Sequence, residues 1–452
     1  MFKRRIYTVV EVKERELLAK ILFAVQMAKK DYSIVLGKKN SLFNYSKLLQ
    51  TGIFFFKGMG KNNIKPMKKL MKLGHKIVGF DEEGLVMNQV ETIPVRINKD
   101  CLNMVEYFFT VGKNQKKNTL KVYPKFKNKV HEIGNSRFDL LKKKYRNYFN
   151  DEIKNIKSKY GKFVLFPSKF TILNHALFPG IPKSVKKGPG RFVLEKDYED
   201  QKIIEKKLKK FFKYFPKKYP NIKIIIKPHP IENKNYWNKL IKKINAKNLI
   251  LADETFTTNS YIMASEFNVG SNCHTSLESY LCNKPTINIR PSKKDGYIIN
   301  QLIRAVSGKE VLEVKELEKI IVNWFFKSKK FNNKITQKNL KILNYNIENV
   351  KKDTSFYFEK KISQIKIKEK NEDKFSNFLF LNFFEFVRRF KNIYYGFLTN
   401  EKKQSYQSVK FSSLTLEEFE TYTSKIFKIL NINSRNFSVK EIYPGCFCIE
   451  KN

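Results

Sequence analysis

The chain of 452 residues carries 90 Lys and Arg against 42 Asp and Glu, a formal charge of +48, and is 42% hydrophobic and 14% aromatic. That apolar content excludes a disordered chain, and the length exceeds one ordinary core, so two domains plus an extension are expected. The positive field attracts phosphates of any kind, but the lysines are spread along the chain without forming one arm or stripe, and no recognition motif accompanies them, so nucleic acid is not an expected partner.

The five cysteines, Cys101, Cys273, Cys282, Cys446 and Cys448, are odd in number and form no paired CxxC ligands, which argues against a disulfide framework or a zinc site and fits a reducing cytoplasm. The first thirty residues lack the apolar core of a signal peptide, and no run reaches the ~18 apolar residues of a membrane span. The expected location is cytoplasmic, with peripheral association at the inner membrane face.

In chain order, the β-branched run Ile6–Val12 leads into a helical pattern (Leu17, Leu18, Ile21, Leu22, Val25, Met27) and then a second apolar run, Tyr32–Leu36, closed by Gly37: a βαβ unit. Ile53–Phe56, a basic helical stretch at Pro66–Leu73, Lys76–Phe80 and a strand near Thr119–Tyr123 continue it. A first Rossmann-like domain over 1–145 follows, ending after Val130–Ile133 and Gly134–Asp139. Lys162–Phe166 opens a second, over 160–305, with helices at 197–216, 236–245, 257–265 and 274–282 and strands at 222–227, 249–252, 267–270 and 285–290. Pro179–Arg191 reads as a mobile loop and Asp197–Asp200 as a helix cap.

Residues 306–452 read as a basic, mostly helical extension. Within it Phe375–Leu398 suits either an anionic membrane surface or a helix docked on the body, and Thr415 with Glu418 forms a capping box. The fold class is α/β: two parallel, helix-covered sheets facing a cleft, which resembles the GT-B architecture.

Two segments carry chemistry. Ile222–Lys227 runs into Pro228-His229-Pro230 at a strand's carboxyl end, where open α/β sheets bind ligands, so Lys227, His229 and Pro230 are candidates for a donor phosphate. A histidine there donates a hydrogen bond, or, if protonated, offsets leaving-group charge. Forty residues on, Gly270, Ser271, Thr275, Ser276 and Glu278 lie on a strand, polar loop and helix start, where free amides hold phosphate and Glu278 can meet a ribose; Ser271 and Thr275 could equally cap the helix. His274 reads as a loop or packing residue, and no metal pair follows a strand, so no metal or other cofactor is expected.

The order Lys-Pro-His-Pro, Gly-Ser-x-x-x-Thr-Ser-x-Glu, Lys-Pro resembles the bacterial GT-B transferases that expel CMP, the sialyl- and Kdo-transferases, and is similar to the CDP-glycerol glycerophosphotransferases. The first group also carries an acidic-acidic-Gly motif, matched by Asp81-Glu82-Glu83-Gly84. Together with Arg15-Glu16-Leu-Leu-Ala-Lys and Gly134-Asn135-Ser136-Arg137-Phe138-Asp139, these residues resemble the surface carbohydrate biosynthesis proteins over roughly residues 4–300, with Ser136 where that family usually has Pro.

The resemblance implies a metal-independent glycosyltransferase that moves a CMP-activated acidic sugar, Kdo or a sialic-acid-like ulosonic acid, onto a glycan or lipid-linked acceptor. It makes Glu82 the expected base, with Asp81 and Glu83 as neighbours; Asp139 is a second carboxylate candidate. A solvated acidic loop is the other reading of Asp81–Glu83. A CDP-glycerol-type or UDP-sugar transferase, a non-catalytic assembly partner and a nucleic-acid-binding protein are the rivals.

Overall fold

The computed structural model describes residues 3–85, 90–181, 189–292, 301–333, 336–368, 411 and 414–452. Strands β1 (Arg4–Val10), β2 (Tyr32–Lys38), β3 (Gly52–Phe56), β4 (Lys76–Phe80), β5 (Tyr107–Thr110) and β6 (Val130–Glu132) form a parallel sheet in the order β2-β1-β3-β4-β5-β6. β1 to β5 are almost wholly buried, as strands covered on both faces by helices must be. The Lys13–Ala28 helix covers one face with Leu17, Ile21, Leu22 and Val25.

The Thr119–Tyr123 strand expectation is corrected: these residues close the Lys113–Val122 helix and the turn after it. Thr119 Oγ1 donates to the Gln115 carbonyl one turn back at 2.8 Å, which satisfies its buried hydroxyl within the helix. The sheet position is taken by Tyr107-Phe108-Phe109-Thr110, a four-residue run too short to show a period.

The second sheet holds β7 (Phe163–Pro167), β8 (Lys223–Lys227), β9 (Leu249–Leu251), β10 (Phe267–Gly270), β11 (Thr286–Ile289) and β12 (Lys309–Val311), all parallel, in the order β12-β11-β10-β7-β8-β9. Read from its first strand this is the doubly wound 3-2-1-4-5-6 order, whose switch point lies between β7 and β10. The segments leaving those strands, Ser168-Lys169 and Ser271-Asn272, therefore diverge and leave a crevice.

Asp197–Asp200 is not a cap. The helix starts at Pro189, eight residues earlier, because proline is preorganised for a first helical turn, and it runs to Lys218. The rest of the Pro179–Arg191 loop expectation falls mainly on 182–188, outside the described residues, as does the 375–398 segment.

The last third is helical over Val314–Phe326, Gln337–Asn346, Thr354–Ile362 and Leu416–Ile429, but it is no separate appendage. β12 and the Val314–Phe326 helix complete the second domain, and the chain then crosses back. Phe358 enters the first core against Phe23, Phe55 and Phe109. Thr415 accepts from the Glu418 amide at 3.2 Å, as a helix cap does. Finally the hairpin β13 (Phe437–Tyr443) and β14 (Cys446–Lys451) joins the first sheet, with β14 antiparallel to β2. Among the described residues no helix is long and apolar enough to cross a membrane.

Candidate active site

A cavity of about 560 Å³ lies between the domains, within the range of ligand pockets. The first domain contributes Arg15 at the start of the Lys13–Ala28 helix, Glu83 after β4, Arg96, and Arg137 after β6. The second contributes Lys169 after β7, Lys227, His229 and Pro230 at the end of β8, and Asn272, His274, Thr275 and Glu278 after β10. Carboxyl ends of strands from both sheets thus converge on one space.

His229 sits where the strand-end reading put it. Its Nδ1 accepts from the Ile231 amide at 3.3 Å, which leaves the proton of the neutral ring on Nε2 as a donor. Burial first, then Arg15, Arg137 and Lys169, push its pKa down to about 3, with Glu83 opposing. The ring is therefore neutral near pH 7, with an N–H to donate, and the protonated alternative is disfavoured. Lys227 Nζ lies 3.3 Å from the Phe256 carbonyl, and burial lowers its pKa.

The His274–Leu281 helix begins at the cavity. Its N-cap, Cys273, makes no side-chain capping bond, so neither Ser271 nor Thr275 caps it; Thr275 Oγ1 lies 3.1 Å from Cys273 Sγ. Free amides at a helix start form an anion site. Ser276 is buried behind this turn, and Gly270 and Ser271 line a smaller neighbouring cavity with Asp197 and Asp200. Glu278, expected to meet a ribose, is held by Arg137 across the cleft at 2.5 Å.

The acidic motif splits. Asp81 is buried and ion-paired with Arg96, with Nε–Oδ2 at 3.0 Å. Glu82 turns away from the cavity, paired with Lys20 at 3.0 Å and Lys57 at 3.3 Å in a charged cluster with Glu16. Glu83 faces the cavity, 3.3 Å from Arg15. Desolvation in the cleft would raise its pKa, but Arg15, His274, Arg137 and Arg96 hold it well below the usual carboxylate range, although the side chain is 43% exposed. Asp139 lies outside the cavity, bonded to Asn349 Nδ2 at 2.8 Å and to the Thr354 amide at 2.8 Å.

Lys169, Arg96 and His274 carried no candidate role in the sequence, and Arg15 and Arg137 stood only inside quoted motifs. The one signal for the last two was their place within the Arg15–Lys20 and Gly134–Asp139 segments; Lys169 gave none, because one lysine among so many is indistinguishable. Among the described residues no group of three His, Cys, Asp or Glu is placed to hold a metal.

No protein-family profile matches the sequence, and no curated protein does. In fold, a UDP-N-acetylglucosamine 2-epimerase superimposes with a TM-score of 0.50 at 11% identity, over 82% of this chain and 100% of its own. The chain has the GT-B fold. Lesser similarity extends to the UDP-GlcNAc 2-epimerases of Neisseria meningitidis, bound to UDP-GlcNAc (TM-score 0.49, 10% identity, 81% and 100% covered), and of Rickettsia bellii (0.47, 13%, 80% and 96%). At such identities the likeness is one of architecture, and it matches the two parallel sheets about the GT-B cleft.

Proposed function

We propose that the cleft transfers a glycosyl group from a nucleotide-activated sugar, held by the second domain, to an acceptor hydroxyl presented by the first, in building a surface polysaccharide. One observation carries this reading: Glu83 faces, across a single cavity, the neutral His229 and the uncapped start of the His274–Leu281 helix. A carboxylate opposite an anion site is the arrangement glycosyl transfer requires.

The phosphate binds at the helix start and His229, whose N–H stabilises charge as the glycosidic bond breaks. By themselves the arginines keep Glu83 ionised. When the donor's anionic groups engage Arg15 and Arg137, the field on Glu83 weakens and its proton affinity rises toward that of a useful base. Cations from both domains can serve a second anionic group besides the phosphate, which favours a CMP-linked acidic sugar such as Kdo or another ulosonic acid. A UDP-sugar is the alternative donor on the same fold. The acceptor is a glycan or lipid-linked saccharide.

Thermal-shift titration with CMP, CDP, UMP, UDP and GDP, with and without EDTA, tests the reading beside His229→Ala. Ligand at ~100 times its Kd should stabilise the fold by about 2.7 kcal/mol. A shift with CMP that survives EDTA and disappears in the variant supports it; a UDP preference selects the alternative donor, and no response to any nucleotide overturns the transferase reading.

A further inference from the structure

His274 is the first residue of the helix that follows β10, and it lines the same cavity as His229, which closes β8. The two imidazoles are held differently. His229 has its Nδ1 fixed by the Ile231 amide, whereas His274 Nε2 is enclosed and meets no hydrogen-bond partner among the described residues. Enclosed polar atoms in folded proteins are nearly always paired, and an unpaired one is a cost that a bound ligand can remove.

The surroundings specify the ligand's charge. Arg15, Arg137 and Lys169 are the cations acting on this ring, and Glu83 is the carboxylate that opposes them. Burial and those cations press the ring's pKa to about 3, so near neutral pH it is uncharged and can offer an N–H. The helix amides beside it have no side-chain cap. An anion with several oxygens satisfies amides, imidazole and guanidinium together; a neutral ligand leaves the cations unmatched.

We propose that His274 is a phosphate-contact residue, giving an imidazole N–H to the donor phosphate at this helix start, so that the phosphate is read by two histidines from two different strand ends. This rests on the transferase reading above. It assigns His274 to the phosphate and not to the base, the ribose or the sugar. The contact is kept as the glycosidic bond breaks, because the electron pair then resides on a phosphate oxygen; His274 transfers no proton.

The test is calorimetric titration of wild type, His274→Ala and His274→Asn with CMP, UMP, cytidine and uridine, with competition by inorganic phosphate. Loss of the contact should weaken binding of the preferred nucleotide about 10-fold or more in His274→Ala. Affinity for the matching nucleoside should be unchanged, and His274→Asn, which keeps an N–H donor, should recover part of the loss. Phosphate should compete less well against the Ala variant. Equal nucleotide affinity in wild type and His274→Ala overturns the proposal, as does equal loss for nucleotide and nucleoside. If His274→Ala fails to fold, His274→Asn and His274→Gln are read by the same nucleotide-to-nucleoside ratio. A wild type that binds no nucleotide overturns the transferase reading itself, a distinct failure.

Discussion

Arg137 and Glu278 form an ion pair across the cleft, Nη2 to Oε1 at 2.5 Å, with the guanidinium supplied by the first domain after β6 and the carboxylate by the second after β10. Both side chains are almost fully enclosed, so removing one partner leaves the other charged without compensation. Glu278→Gln or Arg137→Ala should each destabilise the protein by about 3 kcal/mol or more in urea unfolding. The double variant should lose less than the sum, and that shortfall measures the coupling between domains.

Glu82 and Glu83 are adjacent in sequence but differ in surroundings, and substitution separates them. Glu83→Gln should leave unfolding near that of wild type and reduce turnover by about 10²–10⁴-fold. Glu82→Gln should do the reverse in emphasis, since Lys20 and Lys57 lose a carboxylate in a largely enclosed cluster that retains Glu16. Steady-state rates and denaturant midpoints measured on the same two preparations check both outcomes.

Acid should weaken the fold through buried histidines. His75 Nδ1 accepts from the Gly52 amide at 3.2 Å, a bond that only the neutral ring can accept, and burial pushes its pKa down to about 4, against the partial support of the Ser46 carbonyl. The folded value lies below the unfolded value of 6.5, so the unfolded chain binds the proton more readily. The contribution is complete above about pH 6.5 and is lost as the pH falls toward 4. Between pH 7.5 and 5 this amounts to about 2 kcal/mol. His229 and His274, both depressed to about 3, act with the same sign. In His75→Gln the drop between the two pH values should shrink by His75's share.

Gly134 and Asn349 fix the returning chain. Gly134 has φ +84°, and a Cβ there would lie 2.3 Å from Asn349 Cβ. Asn349 in turn bonds the Asn135 amide at 3.0 Å, the Asn135 carbonyl at 2.9 Å and Asp139 at 2.8 Å. Gly134→Ala should cost about 2–4 kcal/mol, through strain and displacement of Asn349. Asn349→Ala should cost about 1–3 kcal/mol by leaving buried groups unpaired. Limited proteolysis should show earlier cutting between 337 and 368 in both variants.

Local pattern was enough for the repeating units. The apolar runs at Ile53–Phe56, Lys76–Phe80, Lys223–Lys227 and Phe267–Gly270 are strands within a residue or two of where the sequence puts them, because buried parallel strands must be apolar on both faces whatever their neighbours. The same pattern located the turn that carries His229 and the helix start after β10, since a strand's carboxyl end is the ligand side of such a sheet, but not whether Ser271 or Thr275 caps that helix. It could not show which of Asp81, Glu82 and Glu83 faces the cleft: the resemblance pointed to Glu82, and it is Glu83 that lines the cavity. Their backbone is one turn, and the choice was made by Arg96, by Lys20 with Lys57, and by Arg15, which reach them from other elements. Nor could it show that Cys446–Lys451 would pair with Tyr32–Lys38, about 400 residues away. Period and propensity describe a segment and its own faces, whereas a partner strand, a cross-cleft ion pair and the carboxylate that faces the cleft exist only once the chain has closed on itself.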